Sequence, residues 1–152
     1  MKLNRLALCL AAVTGLAAAL PAAAQFAKPE DAIKYRQSAM ALQSYHLGRL
    51  FAMANGQVPF DAKVASEQIE VVAMLNRMQF VAFTDGSDLG ATKSKPTIWT
   101  EKDKFAAKVA KSQEDVGKLV VAGRSGNLDQ IKTATGAVGQ SCKGCHDDYR
   151  AK

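Results

Sequence analysis

The sequence predicts an all-α fold, an antiparallel up-down-up-down four-helix bundle, on three observations. Apolar residues recur at helical spacing in four separate stretches of the chain. Short turns join the first stretch to the second and the third to the fourth, whereas a long connection over 79–97 joins the middle two. Little of the chain has the alternating pattern of a strand. Because short turns make consecutive helices antiparallel neighbours, this pattern favours a bundle.

The N-terminal residues 1–24 have the pattern of a cleaved secretory signal peptide. A short basic start is followed by an apolar, Ala/Leu-rich run over 6–20, and small residues precede a predicted cleavage after Ala24. The run is too short for a confident membrane span, and Cys9 within it is removed with the signal. We therefore expect residues 25–152 to form a single exported domain with one core.

The charge of the chain is modestly basic. The net charge of +6 falls to about +4 when Lys2 and Arg5 leave with the signal peptide. The remaining charges are spread evenly, and no block of Lys and Arg is interleaved with aromatic residues, as nucleic-acid binding would favour. The later segments are too charged to cross a membrane. We therefore predict a solvated surface, with no nucleic-acid partner and no membrane insertion.

The first two helices have clear start and stop residues. Pro29 suits the first turn of a helix, and this helix is expected to end at Asn55-Gly56, a pair that suits a left-handed terminus. Asp61 is expected to cap a second helix that continues to about Met78.

The third and fourth helices occupy the C-terminal half. The third is expected to begin at Trp99 or the next residue and to run to Ala122, with a turn over 123–126. Asn127 is expected to cap the fourth, which continues to Tyr149.

The connection over 79–97 is too apolar for a purely solvated loop, because it contains Phe80, Val81 and Phe83. We expect part of it to fold over something, and connections of this length in small domains are often functional.

The fourth helix contains the most informative motif, Cys142-Lys143-Gly144-Cys145-His146. Two cysteines three residues apart, followed directly by histidine, are the attachment pattern of c-type haem. Two thiols add to the two vinyl groups of one porphyrin edge, and the adjacent imidazole reaches the iron. On a helix, Cys142, Cys145 and His146 share one face. The motif therefore predicts one covalently bound haem c.

Three glycines, Gly136, Gly139 and Gly144, lower the helix propensity around this motif. A flat porphyrin lying against the backbone would account for small residues there, and loose packing is the alternative.

Four other interpretations of the motif remain open from the residues alone. Structural zinc would need four ligands in most cases, and the motif supplies three. The one other histidine, His46, is expected on a different face of its helix from Met40. A thioredoxin-like redox pair expects a strand–helix context. A disulfide between residues three apart on a continuous helix has awkward geometry. A haem-free helical interaction protein would require the motif to be coincidental.

The chain beyond the signal peptide resembles cytochrome c′, of the class II c-type cytochromes. The resemblance covers essentially all of 25–152 and is carried by QFAKPEDAIKYRQS at 25–38, HLGR at 46–49, PTIW at 96–99 and CKGCHDDYR at 142–150. It implies a left-handed antiparallel four-helix bundle and a homodimer whose interface comes from the first two helices.

The resemblance also implies roles for individual residues. Cys142 and Cys145 would form thioethers, and His146 would be the proximal iron ligand. Arg36 and Gln37 match positions that bond the haem propionates, and a guanidinium facing carboxylates is chemically sound. Arg150, four residues after His146, matches a basic residue beside the proximal face.

Met40 stands where the family places the side chain that closes the distal haem face. Two interpretations follow. Met40 covers the iron without binding it, so that the iron stays five-coordinate and high-spin, or its sulfur is the sixth ligand of a low-spin iron. We favour the first, since methionine is more often a packing residue.

The implied function is a periplasmic haem protein that binds nitric oxide and carbon monoxide and protects against nitric oxide. The sequence places no distal His or Gln that would stabilise dioxygen. The alternative function is a one-electron carrier with Met40 ligated and with periplasmic redox partners. No nucleophile–base pair is assignable by spacing, so we do not expect an enzyme.

Overall fold

The structure is a computed structural model that describes residues 25–152, so the predicted signal peptide and its cleavage site lie outside the described residues. Four long helices and one short helix form this part of the chain: α1 Pro29–Ala54, α2 Ala62–Phe80, α3 Thr97–Thr100, α4 Lys102–Ser125 and α5 Leu128–Tyr149. Residues 25–152 contain no strand, and the connection over 79–97 makes a single isolated bridge, between Ser94 and Arg150.

The long helices pack in a ring, which confirms the four-helix bundle. α1 packs against α2 and α5, and α4 packs against the same two helices. Leu50, Ile69, Leu119 and Val138 are among the core residues from the four helices, and each is almost wholly buried. None of the helices over 25–152 is both long and apolar enough to cross a membrane.

The helix ends confirm the capping residues that the sequence indicated. The Asp61 carboxylate accepts a hydrogen bond from the Val64 amide at 3.0 Å, and the Asn127 side chain accepts one from the Gln130 amide at 3.0 Å. Each bond satisfies a backbone donor that a helix start otherwise leaves free. Gly56 and Gly126 follow α1 and α4 with φ values of 69° and 64°, which only glycine adopts without strain.

The prediction of one continuous third helix is wrong, because the helix is interrupted at Glu101. The φ of −115° and ψ of 47° at this residue are not helical. The short α3 before the break turns toward the connection over 79–97. Its Ile98 is buried, and Trp99 Nε1 donates to the Thr84 carbonyl at 2.9 Å. These tertiary contacts hold α3 in an orientation different from that of α4.

The end of α4 also lies later than expected. The helix passes through Gly123 and ends at Ser125, so the turn begins at Gly126 rather than at Gly123. Gly123 lies against α2, where an added Cβ would come within 2.8 Å of Ile69 Cδ1. Gly123 therefore lies inside α4 and allows this helix to pack closely against α2.

Gly139 of α5 has the same role on the other side of the bundle. A Cβ at this position would lie 2.7 Å from Phe51 Cζ of α1, whereas Gly136 has open space around it. The small residue at Gly139 is thus explained by the close approach of α1 and α5, and a porphyrin is not needed to account for it.

Candidate functional site

A cavity of about 480 Å³ lies between α1 and α5, and it brings together every site residue that the sequence indicated. Pockets of this size hold drug-sized ligands and cofactors. Residues from both walls line it: Arg36, Gln37 and Met40 of α1, and Cys142, Cys145, His146 and Arg150 at the end of the chain.

The α5 wall presents the two thiols and the imidazole. Cys142 and Cys145 are half-buried and both are free thiols, so neither takes part in a disulfide. Burial raises the pKa of both thiols above the usual range, and this keeps them protonated at neutral pH. His146 follows on the same helical face, and all three side chains line the cavity.

The surroundings of His146 favour its neutral form. Desolvation by the protein lowers the pKa of its imidazole, and the nearby Arg150 cation lowers it further, while Asp147 opposes the shift. A metal binds the neutral imidazole. His146 is therefore in the protonation state that iron ligation requires.

The end of α5 is held in place by the connection over 79–97. Lys95 Nζ donates to the carbonyls of Asp147 and Asp148 at 3.1 and 2.9 Å, and the Lys95 amide donates to the Tyr149 carbonyl at 2.9 Å. Carbonyls in the last turn of a helix otherwise lack partners. This tether positions the segment that carries His146 and Arg150.

Arg36 is the deepest polar residue of the α1 wall, with only 1% of its surface exposed. Its Nη1 donates to the Ala82 carbonyl at 3.0 Å and to Ser87 Oγ at 2.8 Å. Its Nη2 donates to the Ser87 carbonyl at 2.6 Å and to Thr92 Oγ1 at 2.9 Å. Arg36 thus fastens α1 to the long connection.

The Arg36 guanidinium also lies 4.8 Å from the ring centre of Phe83 and 5.8 Å from that of Trp99, within cation–π range. Burial lowers its pKa, and Asp88 opposes that shift, but a guanidinium stays charged at neutral pH. Its Nε is buried without a hydrogen-bond partner among residues 25–152. One donor of Arg36 is therefore left without a partner next to the cavity that this residue lines.

The other two α1 residues differ in their contacts. Gln37 is exposed, and its Nε2 donates to the Ala91 carbonyl at 2.9 Å, so it too contacts the long connection. Met40 is half-buried and lines the cavity opposite the α5 wall.

Aromatic side chains also line the cavity, among them Phe80 and Phe83 from the start of the long connection. The Phe83 ring packs 4.9 Å from Phe105 and 6.4 Å from Phe80, and Phe105 packs edge-on to Tyr149 at 5.3 Å. The long connection therefore folds over the cavity, as its apolar residues indicated.

Two comparisons with known proteins bear on this site. The family model described as Cytochrome C′ matches residues 31–150. The chain is also 48% identical over 129 residues to the cytochrome c′ of Rubrivivax gelatinosus, covering 84% of this chain and 100% of that protein. The chain belongs to the cytochrome c′ family.

Solved structures of cytochromes c′ show the same architecture. The crystal structure of the Rubrivivax gelatinosus protein superposes with a TM-score of 0.81 and covers 83% of this chain and 99% of that one, at 48% identity. A nitric oxide complex of a variant from Alcaligenes xylosoxidans gives a TM-score of 0.80 at 42% identity and covers 84% and 99%. A carbon monoxide-bound variant from the same organism also gives 0.80 at 42% identity and covers 84% and 100%.

Cytochromes c′ carry a covalently attached c-type haem, and haem c is therefore the cofactor of this chain. The cavity fits it on grounds independent of the family. Two free thiols and an imidazole share one wall, and the Nε donor of Arg36 has no partner within the described residues. Among residues 25–152, no three His, Cys, Asp or Glu side chains are grouped as ligands of a bare metal ion.

His46 lies outside the cavity lining of this cytochrome c′. Its Nδ1 is 2.7 Å from Gln68 Oε1, a contact that joins α1 to α2. The second histidine thus belongs to the helix packing.

Sequence reasoning missed several polar residues of the cavity, of which Gln43 matters most. Gln43 lines the cavity, is 5% exposed, and its Oε1 has no hydrogen-bond partner among residues 25–152. The sequence did not place a glutamine near the ligand side, whereas the structure places Gln43 on the same cavity lining as Met40. Its position could have been found from spacing, since Gln43 lies three residues after Met40 and seven after Arg36 on one helix. Gln79, Ser112, Ser141 and Tyr149 also line the cavity.

Proposed function

We propose that this cytochrome c′ is a periplasmic haem protein with a five-coordinate, high-spin iron that binds nitric oxide and carbon monoxide. The observation that carries the proposal is the cavity that Cys142, Cys145 and His146 line together with Met40. Cys142 and Cys145 attach the haem, and His146 is the proximal ligand. The haem supplies an iron able to take up a diatomic gas.

The site residues divide into two groups in this proposal. Arg36 and Gln37 bond the propionates, an assignment supported for Arg36 by its unpaired Nε donor. Arg150 provides positive charge beside His146, whose pKa it lowers. Solved complexes of related cytochromes c′ with nitric oxide and carbon monoxide support the choice of ligands.

Met40 acts in this proposal as a movable cover on the α1 side. Its thioether is flexible and apolar, and a gas reaches the iron when the side chain changes rotamer. The physiological role that fits such a site is nitric oxide scavenging in the periplasm, which the predicted signal peptide over 1–24 supports.

The Met40 assignment predicts a fast-binding variant. Met40→Ala is expected to raise the association rate of carbon monoxide about tenfold, because displacing a side chain from its rotamer costs about 0.5–1.5 kcal/mol. Stopped-flow mixing of the reduced holoprotein measures this rate. Met40→Leu, which keeps the bulk and lacks sulfur, should retain the high-spin optical and EPR spectra of the unaltered protein.

A second candidate function, one-electron transfer, is favoured by the presence of both Met40 and His146 on the lining of the cavity. In that case the untreated holoprotein has a low-spin spectrum with a methionine signature. That signature would disappear in Met40→Leu, and this result would transfer the assignment to an electron carrier with periplasmic redox partners.

We also propose that the protein is a homodimer through α1 and α2, supported by an exposed apolar stripe on these helices. The stripe consists of Leu42 and Tyr45 of α1 with Met74 and Met78 of α2, exposed by 53%, 62%, 47% and 37%. The two residues on each helix are three or four positions apart and so share one helix face, and exposed apolar patches mark protein–protein interaction sites.

If the stripe forms the dimer interface, a single charged residue introduced into it should weaken the dimer. Tyr45→Glu is expected to raise the dimer dissociation constant at least about thirtyfold, since loss of a central interface tyrosine commonly costs about 2 kcal/mol or more. Sedimentation equilibrium measures the constant. Val121→Glu on α4, where Val121 is 67% exposed, is the matched control. Equal effects of the two substitutions would contradict an interface on α1 and α2.

A further inference from the structure

The side of the cavity that carries Met40 also carries a buried amide. Gln43 is 5% exposed and lines the cavity, and its Oε1 has no hydrogen-bond partner in the described part of the chain. It lies on α1 three residues after Met40, so both side chains project from the same helical face. A buried polar group without a partner in the protein is unusual, and it indicates a ligand or an ordered water.

The polar neighbours of Gln43 on the cavity lining are engaged by the protein. The terminal nitrogens of Arg36 are bonded to Ala82, Ser87 and Thr92. Gln37 donates to Ala91, and the Ser141 hydroxyl donates to the Val138 carbonyl at 3.0 Å. The amide oxygen of Gln43 and the Nε of Arg36 are the two buried polar atoms of these side chains that lack a hydrogen-bond partner among residues 25–152.

The chemistry of a primary amide defines what Gln43 can recognise. The group carries one acceptor oxygen and two N–H donors, and a half-turn about its last bond exchanges them. It can therefore present a donor to the atom of a bound ligand that carries partial negative charge. In a buried site such a hydrogen bond is stronger than in water.

We propose that Gln43 is a specificity-determining residue that donates a hydrogen bond to a polar diatomic ligand held on the Met40 side of the haem. This inference rests on the proposed function and deepens it. Bent nitric oxide places charge on its outer oxygen and accepts a hydrogen bond, whereas linear carbon monoxide accepts one poorly. Gln43 thereby favours nitric oxide over carbon monoxide.

The test compares Gln43→Met with the unaltered holoprotein. Gln43→Met keeps the length of the side chain and removes the amide. Its nitric oxide dissociation rate, measured by stopped flow, is expected to rise about tenfold, the value of one net hydrogen bond. The carbon monoxide dissociation rate is expected to change less than about twofold.

A vibrational spectrum gives a readout that does not depend on rates. A donor near the outer oxygen lowers the C–O stretching frequency, so Gln43→Met and a second apolar variant, Gln43→Leu, should both raise this frequency. Gln113→Met, which alters an exposed glutamine of α4, is the control and should leave rates and frequency unchanged.

The outcomes separate the inference from the proposed function. Equal changes in the rates of both gases, or an unchanged stretching frequency in both Gln43 variants, would overturn the role of Gln43 while leaving gas binding intact. Failure of the unaltered holoprotein to bind either gas would overturn the proposed function, and the inference would fall with it.

Discussion

Replacement of Arg36 by alanine is expected to lower the free energy of unfolding by about 3–5 kcal/mol, the usual cost of removing a buried charge that is hydrogen-bonded to several buried groups. The physical reason is the position of Arg36 between α1 and the long connection. Four hydrogen bonds from its terminal nitrogens reach Ala82, Ser87 and Thr92, and two aromatic rings lie beside the cation. Without it, buried acceptors lose their donors.

Denaturant unfolding of the holoprotein, followed by circular dichroism, measures this loss. Arg49→Ala is the matched control, because Arg49 is an exposed arginine of the same helix and its replacement should change the free energy by less than about 0.5 kcal/mol. Arg36→Lys keeps the charge but not the planar fork of donors, so an intermediate loss is expected. Equal stability of Arg36→Ala and Arg49→Ala would show that the connection is held by other contacts.

The double substitution of Cys142 and Cys145 by alanine is expected to abolish covalent haem attachment completely. Each thioether needs one thiol, and the two free thiols line the cavity together. Haem-dependent staining after denaturing electrophoresis measures attachment directly. Either single variant should retain a haem bound through the remaining cysteine.

Ser141→Ala provides the control for this experiment. Ser141 lies next to Cys142 and lines the same cavity but carries no thiol. It should keep full staining. Staining that survived in the double alanine variant would mean that the haem is attached elsewhere, and the assignment of the motif would have to be abandoned.

Much of the fold was predictable because its determinants are local. The capping residues Asp61 and Asn127 act on backbone donors three residues away, and the glycines after α1 and α4 relieve strain at their own positions. Helical periodicity depends on neighbours within two turns. The break at Glu101 was not predictable in this way, because it follows from contacts of Ile98 and Trp99 with residues outside α3.

The candidate site was predictable in part for the same reason. Cys142, Cys145 and His146 are adjacent in the chain, so one helical turn brings them to one face, and their chemistry is evident from spacing alone. Met40, Gln37, Arg36 and Arg150 were indicated by resemblance to cytochromes c′, and the structure places them on the same cavity. Gln43 was missed because its burial depends on helices that come together across the bundle.

The sequence by itself determined the helical periodicity of the chain, the haem-attachment motif and the resemblance to cytochromes c′, since each depends on residue types at short spacings. Only the tertiary structure decided which groups accept the hydrogen bonds of Arg36. It also decided that the amide oxygen of Gln43, a residue of the cavity lining, has no partner among residues 25–152. These properties depend on distant groups, as the hydrogen bond of Arg36 to Ser87 illustrates across 51 positions of sequence. The packing of the helices and the long connection determines these contacts, because a buried polar group forms hydrogen bonds with the partners that lie within reach.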